Sequence, residues 1–411
     1  MSCKGETFAL LLVALFIASL VIVPHAEAKA QTRTLVVPDQ YPTIQDAIDN
    51  ASAGDKIFVK EGTYNLTALY IYKPLSLIGE SNKNTILSGI RPTQGSETTI
   101  YISSDTANVL ITGFTIKDGF TAIEVDGNHC KVTGNIIQNN NYGILVDGGN
   151  FIQIVNNKIS NNYMGVIADS NNSLVSQNYI ALSEENAISV AGYGLTINGN
   201  TITGNGFYPF FKESNGALGL SVVDSEVYSN IIANNQGFGI RIAGCSNTLI
   251  HDNTIENNSN GVELPNYSLV NGSLGAGNKV FRNNLLNNQP QVFISSNFAS
   301  GTISSNQVSG TDMVSWDNGK VGNYWSDYQS KYPNATEVDA SGVGNTPYVI
   351  NQNNIDHHPL TQQVDISSSS APASPSILPF AIIAVAIVVL VVIVTSLLLL
   401  YRRHRKTAAS A

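Results

Sequence analysis

Charge is scarce in this sequence: Asp, Glu, Lys and Arg together make up 12% of 411 residues, about half the usual share. That excludes an acidic disordered chain, a charge-laced coiled coil and a basic nucleic-acid binder. Helical periodicity is also missing from the middle of the chain, where apolar residues alternate in short runs broken by Asn and Gly, the pattern of strands and turns. Asparagine fills the gap that charge leaves, at 47 residues. Polarity here comes from amides and hydroxyls.

Both ends differ from this body. Lys4 precedes an apolar run over 8–23, then Pro24 and the small-residue stretch Ala26-Glu27-Ala28-Lys29-Ala30. Residues 1–30 read as a secretory signal cut after Ala28 or Ala30, with an uncleaved N-terminal anchor as the other reading. Residues 380–400 hold no charge, long enough to cross a bilayer, so a transmembrane helix is expected over 377–401. A Ser/Pro-rich stalk (361–376) precedes it. Arg402, Arg403, Arg405 and Lys406 follow in a basic tail, 402–411, which would place the C-terminus in the cytoplasm and the bulk outside the cell. That bulk, residues 31–400, has 15 basic and 28 acidic side chains. A net charge near −13 repels polyanions such as nucleic acid unless a divalent cation intervenes, and favours neutral ligands.

The body repeats. Asn-x-apolar recurs at Asn135, Asn157, Asn178, Asn200, Asn230, Asn253, Asn283 and Asn306, with spacings of 22, 21, 22, 30, 23, 30 and 23 residues. A unit of about 22 residues cannot bury its apolar face alone; winding the chain into stacked coils solves this, with backbone pairing between coils about 4.8 Å apart. Asn suits the corners because it tolerates left-handed backbone angles, and stacked Asn side chains can hydrogen-bond along the axis. The expected fold is all-β, a parallel β-helix over 31–360. Its N-terminal cap and first coils would occupy 34–108, the repeat coils 109–310 and a distinct C-terminal region 311–360. A short amphipathic helix over 41–49, N-capped by Thr43 with Ile44, Ala47 and Ile48 on one face, should cover the open apolar end.

Specific phrases then carry a resemblance. Val37-Pro38-Asp39-Gln40-Tyr41-Pro42-Thr43-Ile44-Gln45, Gly54-Asp55-Lys56-Ile57-Phe58-Val59, Gly62-Thr63-Tyr64 and Leu75-Ser76-Leu77-Ile78-Gly79 resemble the opening of pectin-lyase-like right-handed β-helices. The repeats are similar to the carbohydrate-binding and sugar-hydrolase β-helix module, in its NosD-like branch of archaeal surface proteins. Gly322-Asn323-Tyr324-Trp325-Ser326-Asp327-Tyr328 and Asp356-His357-His358-Pro359-Leu360 are similar to the C-terminal signature of that branch. The resemblance covers roughly 34–360 and implies a right-handed helix. It leaves function open, because this fold hosts lyases, hydrolases, esterases, adhesins and inert scaffolds.

Chemistry is thin. Aligning strands on the recurring glycine places Glu124, Leu145, Ile167, Ser189, Ser221, Arg241 and Glu263 in one outward column. Arg241 and Glu263 fall on adjacent coils, either as a surface ion pair or as a substrate clamp. Two positions on, Asp126, Asp147 and Asp169 stack on successive coils; they are turn openers or, as the resemblance to pectate lyases implies, ligands for Ca²⁺. The two 30-residue intervals add Phe207-Tyr208-Pro209-Phe210-Phe211 and a loop with Tyr267, flanking the strand of Arg241. Tyr208, Phe210, Phe211 and Tyr267 either wall a sugar-binding groove or form a local minicore.

The NosD-like branch is linked by name to copper-site maturation. Copper wants Met, Cys or His, and Met164, Met313, Cys130, Cys245, His129, His251, His357 and His358 form no cluster beyond the adjacent histidines, which read as a metal site or a solvated loop. Copper delivery is disfavoured. Cys130 and Cys245, about five coils or roughly 24 Å apart, are too distant for a disulfide. The expected function is a membrane-anchored surface protein that binds carbohydrate without catalysis. Its rivals are a calcium-dependent polysaccharide lyase in which Arg241 abstracts a proton or stabilises charge, and a purely structural envelope protein.

Overall fold

The computed structural model describes residues 32–90, 97–208, 215–265, 275–295 and 314–366. The expected signal, the Ser/Pro stretch from residue 367, the transmembrane helix, the basic tail, Phe210, Phe211 and Tyr267 lie outside the described residues. Among the described residues no helix is long and apolar enough to cross a membrane.

Each coil contributes one short strand to each of three parallel sheets, which among the described residues hold twelve, eleven and ten strands. In chain order we call them sheets 1, 2 and 3. The coil begun by Lys131–Thr133 in sheet 1 continues through Ile136–Gln138 in sheet 2 and Tyr142–Asp147 in sheet 3. The next coil repeats this with Gln153–Val155, Lys158–Ser160 and Met164–Asp169, in register with the first. The fold is a right-handed parallel β-helix. In the three-residue strands of sheets 1 and 2 only the middle side chain points inward. Ile111, Val132, Ile154, Val175, Ile197, Val227, Ile250 and Val280 therefore stack from coil to coil, all buried. Burying each such side chain contributes about 1.5–3 kcal/mol.

The corners explain the asparagines. Between sheets 1 and 2 a residue with left-handed backbone, such as Asn156 (φ 56°) or Gly199 (φ 62°), turns the chain and is followed by a buried Asn. Asn135, Asn157, Asn178, Asn200, Asn230, Asn253, Asn283 and Asn323 form one ladder. In each step a backbone N–H and an Nδ2–H donate to the Oδ1 of the next Asn, as from Asn157 to Asn178 at 2.9 and 3.1 Å. The last described step runs from Asn283 to Asn323; the expected Asn306 lies outside the described residues. The interval there is 40 residues, longer than the sequence repeat suggests. A second ladder follows the corner between sheets 2 and 3 through Asn140, Asn162, Asn205, Asn235, Asn258 and Asn288, with Ser183 in the place between Asn162 and Asn205.

The N-terminal end is covered as expected. Helix α1 (Ile44–Asn50) is capped by Thr43, whose hydroxyl accepts from the Asp46 amide, and buries Ile44, Ala47 and Ile48. At the other end Trp325 stacks on Tyr348 at 4.1 Å beside the short helix α2 (Tyr328–Lys331). Asp356 is fully buried there and accepts from the Asn323 amide, Trp325 Nε1 and the His358 amide. It closes the first ladder and is no part of a solvated loop. Cys130 and Cys245 are both buried and free.

Candidate functional site

The outer face of sheet 3 presents outward side chains from ten stacked strands among the described residues. One column reads Tyr70, Tyr101, Glu124, Leu145, Ile167, Ser189, Gly219, Arg241, Glu263, Phe293. Gly219, not Ser221, holds its place in the column; Ser221 pairs with Ala191, two positions on. The recurring glycine of neighbouring coils is replaced here by Ala187 and Ala217, so alignment on glycine slips by two residues.

That correction shapes the surface. Small residues at Ser189, Gly219 and Ser221 floor a cleft of about 280 Å³, with Asp169 toward one end and Arg241 and Phe238 toward the other. Arg241 Nη2 donates to both carboxylate oxygens of Glu263 at 3.0 Å, and its guanidinium sits 4.4 Å over the Phe238 ring. Glu263 is only 2% exposed. Glu263 is thus buried while Arg241, with about 20% of its side chain exposed, stays open to the cleft, so the pair lies between a surface ion pair and a buried one.

The aspartates divide. Asp147 and Asp169 are exposed register partners, whereas Asp126 accepts the Tyr101 hydroxyl at 2.7 Å. That hydrogen bond, with burial, pushes the Tyr101 phenol up to about 12. Among the described residues no group of three or more His, Cys, Asp or Glu side chains could hold a metal ion. Tyr208 is half-buried and packs edge-on against Tyr163 at 5.5 Å, and Tyr163 in turn donates to Glu185. The more exposed ring of that interval is Phe207, which lines a separate cleft of about 380 Å³ with Gln236, Asn260 and Phe293.

A constellation that sequence spacing did not reveal lies on the outer face of sheet 1. Tyr228, His251 and Phe281 occupy one column and stack at 5.5 and 5.0 Å. His251 Nδ1 lies 2.7 Å from Asp252 and Nε2 2.9 Å from Glu226, while Arg282 reaches Asp252 at 2.9 Å. Burial alone would lower the imidazole pKa, but the two carboxylates outweigh it and hold His251 above its ordinary value. Asp252 is likewise kept low, against its burial, by His251 and Arg282. Strand register was the missing signal: Glu226 and His251 are 25 residues apart, yet sit on paired strands.

The family described as periplasmic copper-binding protein (NosD) matches residues 48–330. The chain belongs to the NosD family. No curated protein matches the sequence. Among solved structures this NosD-family chain is similar to the A-module of mannuronan C-5 epimerase AlgE4 from Azotobacter vinelandii, with 16% identity over 64% of this chain and 94% of that one and a TM-score of 0.45. It is also similar to an alginate lyase from Paenibacillus sp. str. FPU-7, with 16% identity over 64% and 94% and a TM-score of 0.39. The catalytic unit of an alpha-1,3-glucanase from Streptomyces thermodiastaticus strain HF3-3 matches at 16% identity over 63% and 54%, with a TM-score of 0.48.

The described residues of this NosD-family chain do not fit a copper centre. His129 stacks flat on Phe151 at 4.7 Å, while the adjacent Cys130 is buried and donates to the Asn128 carbonyl. Burial pushes the Cys245 thiol up to about 11, disfavouring the thiolate that binds metal. Both ring nitrogens of His251 face carboxylates. The His358 Nδ1 lies 3.3 Å from Asp317 Oδ1.

Proposed function

We propose that this NosD-family chain is a surface protein, anchored by its apolar 380–400 stretch with the β-helix outside the cell, that binds polysaccharide along the outer face of sheet 3. The cleft floored by Ser189, Gly219 and Ser221 carries this reading. It lies where missing side chains open a trough in an otherwise continuous sheet. It offers hydroxyls from Ser189 and Ser221, apolar surface from Ile167 and Ala191, and a guanidinium already neutralised by Glu263. Such a mix suits a neutral, polyhydroxylated ligand better than a polyanion. Binding without catalysis is favoured because, among the described residues, the cleft gathers no acid and base across a single reacting position.

One observation favours a second reading, a calcium-dependent lyase: Asp169 and Arg241 line the same cleft. They are three coils apart, roughly 14 Å along the axis, too far for Arg241 to serve a substrate held by a metal on Asp169. The test pairs neutral and acidic polysaccharides with the full-length chain, with and without Ca²⁺, following binding and the release of reducing or unsaturated ends together. Binding without product is expected. Calcium-dependent product lost in Asp169→Ala would replace this reading with the lyase.

A further inference from the structure

A second cleft, of about 430 Å³, opens at the N-terminal end of the same face. Its walls include Tyr70, Tyr101, Glu97, Thr98 and Glu124. The Tyr70 ring is 58% exposed and is braced from one side by the edge of Tyr101, at 6.1 Å between centroids. Its backbone is fixed as well, because Tyr70 N–H donates to the Gln45 side chain of helix α1. A large ring held still and left open to solvent inside a cleft is a stacking platform with little ordering entropy left to lose on binding.

Among the described residues the charge around that platform is of one sign. Within that set the Glu124 side chain accepts only from the Thr98 hydroxyl, and the exposed Glu97 side chain makes no hydrogen bond or ion pair. No basic residue lines the cleft among the described residues. The same sign continues away from it through Asp126, Asp147 and Asp169 on successive coils, about 4.8 Å apart. Roughly 29 Å, six coil steps, separate Tyr101 from Arg241 along this line.

Resting on the polysaccharide reading above, we infer that the Tyr70–Glu124 cleft is a subsite for a sugar bearing a protonated amine, so that the glycan is a polymer containing free amino sugars. The ring face of the sugar stacks on Tyr70, and its ammonium donates to Glu124 with Glu97 nearby. The exposed carboxylates of Asp147 and Asp169 meet further amines as the chain runs toward the central cleft. A uronate polymer would meet like charge along the whole path, and an N-acetylated one would leave Glu124 without a cationic partner.

The experiment is calorimetric titration of the full-length chain at pH 6 with a glucosamine pentamer, its N-acetylated counterpart, and spermine as charge without a ring. The glucosamine pentamer should bind at least about tenfold more tightly than either of the others. Tyr70→Ala should weaken it about tenfold and Glu124→Gln about fivefold, at unchanged melting temperature, since one ring is exposed and the other change is isosteric. Equal affinity for the two pentamers, spermine as tight as the glucosamine pentamer, or a Kd indifferent to both substitutions overturns the subsite. If both pentamers bind equally and are lost only on Gly219→Trp, the polysaccharide reading stands and the amine subsite falls. If neither pentamer binds while a neutral glucan does, the subsite falls again.

Discussion

The backbone amide of Asn323 donates to Asp356 Oδ2 at 2.7 Å, so a ladder of eight buried asparagines ends on a carboxylate. Each Asn up to Asn283 donates its backbone N–H and one Nδ2–H to the next Asn, whereas Asn323 sends its Nδ2–H groups to the Val280 and Trp316 carbonyls and leaves its backbone N–H needing an acceptor. Asp356 supplies it, contributed by a segment 33 residues further on. The C-terminal region is thereby part of the solenoid's hydrogen bonding and not an appendage.

Burial raises Asp356 to about 7, outweighing the N–H donors of Asn323, Trp325 and His358 that favour its charged form. The folded protein therefore keeps a proton that the unfolded chain has already released. The contribution of Asp356 to stability is fully present below about pH 4 and is lost as the pH rises through about 7. Melting temperature measured across that window should decline in the wild type and stay flatter in Asp356→Asn. A wild-type curve rising with pH over the same window, and unchanged in the variant, would contradict it.

Ser183 interrupts the second ladder. It is fully buried and its Oγ has no hydrogen-bond partner. Ser183→Asn restores the pattern seen at Asn157 and Asn178, with Nδ2 aimed at Asn205 Oδ1. We expect stabilisation of about 1 kcal/mol by denaturant melting. The converse change, Asn200→Ala, removes hydrogen bonds with Asn178, Val175 and Asn230 and should cost about 3 kcal/mol.

His251 holds its proton through Asp252 and Glu226. Its contribution to stability is fully present below its ordinary pKa and is lost as the pH rises through the raised folded value. His251→Phe keeps a ring between Tyr228 and Phe281 but removes this dependence. Loss of stability on the alkaline side should be smaller in the variant, read by melting between pH 6 and 9. An identical alkaline slope in both proteins would show that the imidazole is not held charged.

Arg241→Ala strips Glu263 of both hydrogen bonds from Nη2 while that carboxylate stays buried. A cost of about 2 kcal/mol is expected for losing these charge-assisted hydrogen bonds, visible as a lower denaturation midpoint. Glu263→Gln together with Arg241→Met should recover much of it. A cost below about 1 kcal/mol for Arg241→Ala would mean that the pair behaves as an exposed one.

The coil period, the corner asparagines, the capping helix at Thr43 and the unpaired cysteines could all be read from residue spacing, because a stacked coil imposes its repeat directly on the sequence. What spacing could not supply was register across the irregular intervals. Ala187 and Ala217 stand where other coils have glycine, which displaced Ser221 into the column of Gly219 and hid the central cleft. The 40-residue interval hid Asn323 as the next ladder member. Glu226, His251, Asp252 and Arg282 come from three coils, and only the pairing of those coils brings them together. Asp356 looked like part of a polar loop; its burial depends on the Trp325 and Tyr348 rings that fold over it.

Gly219→Trp tests the central claim most directly. A Cβ there meets nothing closer than 3.9 Å, so the substitution fills the cleft from its floor without straining the strand. The full-length protein and this variant would be titrated with whichever polysaccharide the wild type binds, with melting followed alongside. Binding weakened at least about tenfold at an unchanged melting temperature is the predicted result. Unchanged affinity in a variant that folds normally would show that the outer face of sheet 3 does not bind its ligand at this cleft.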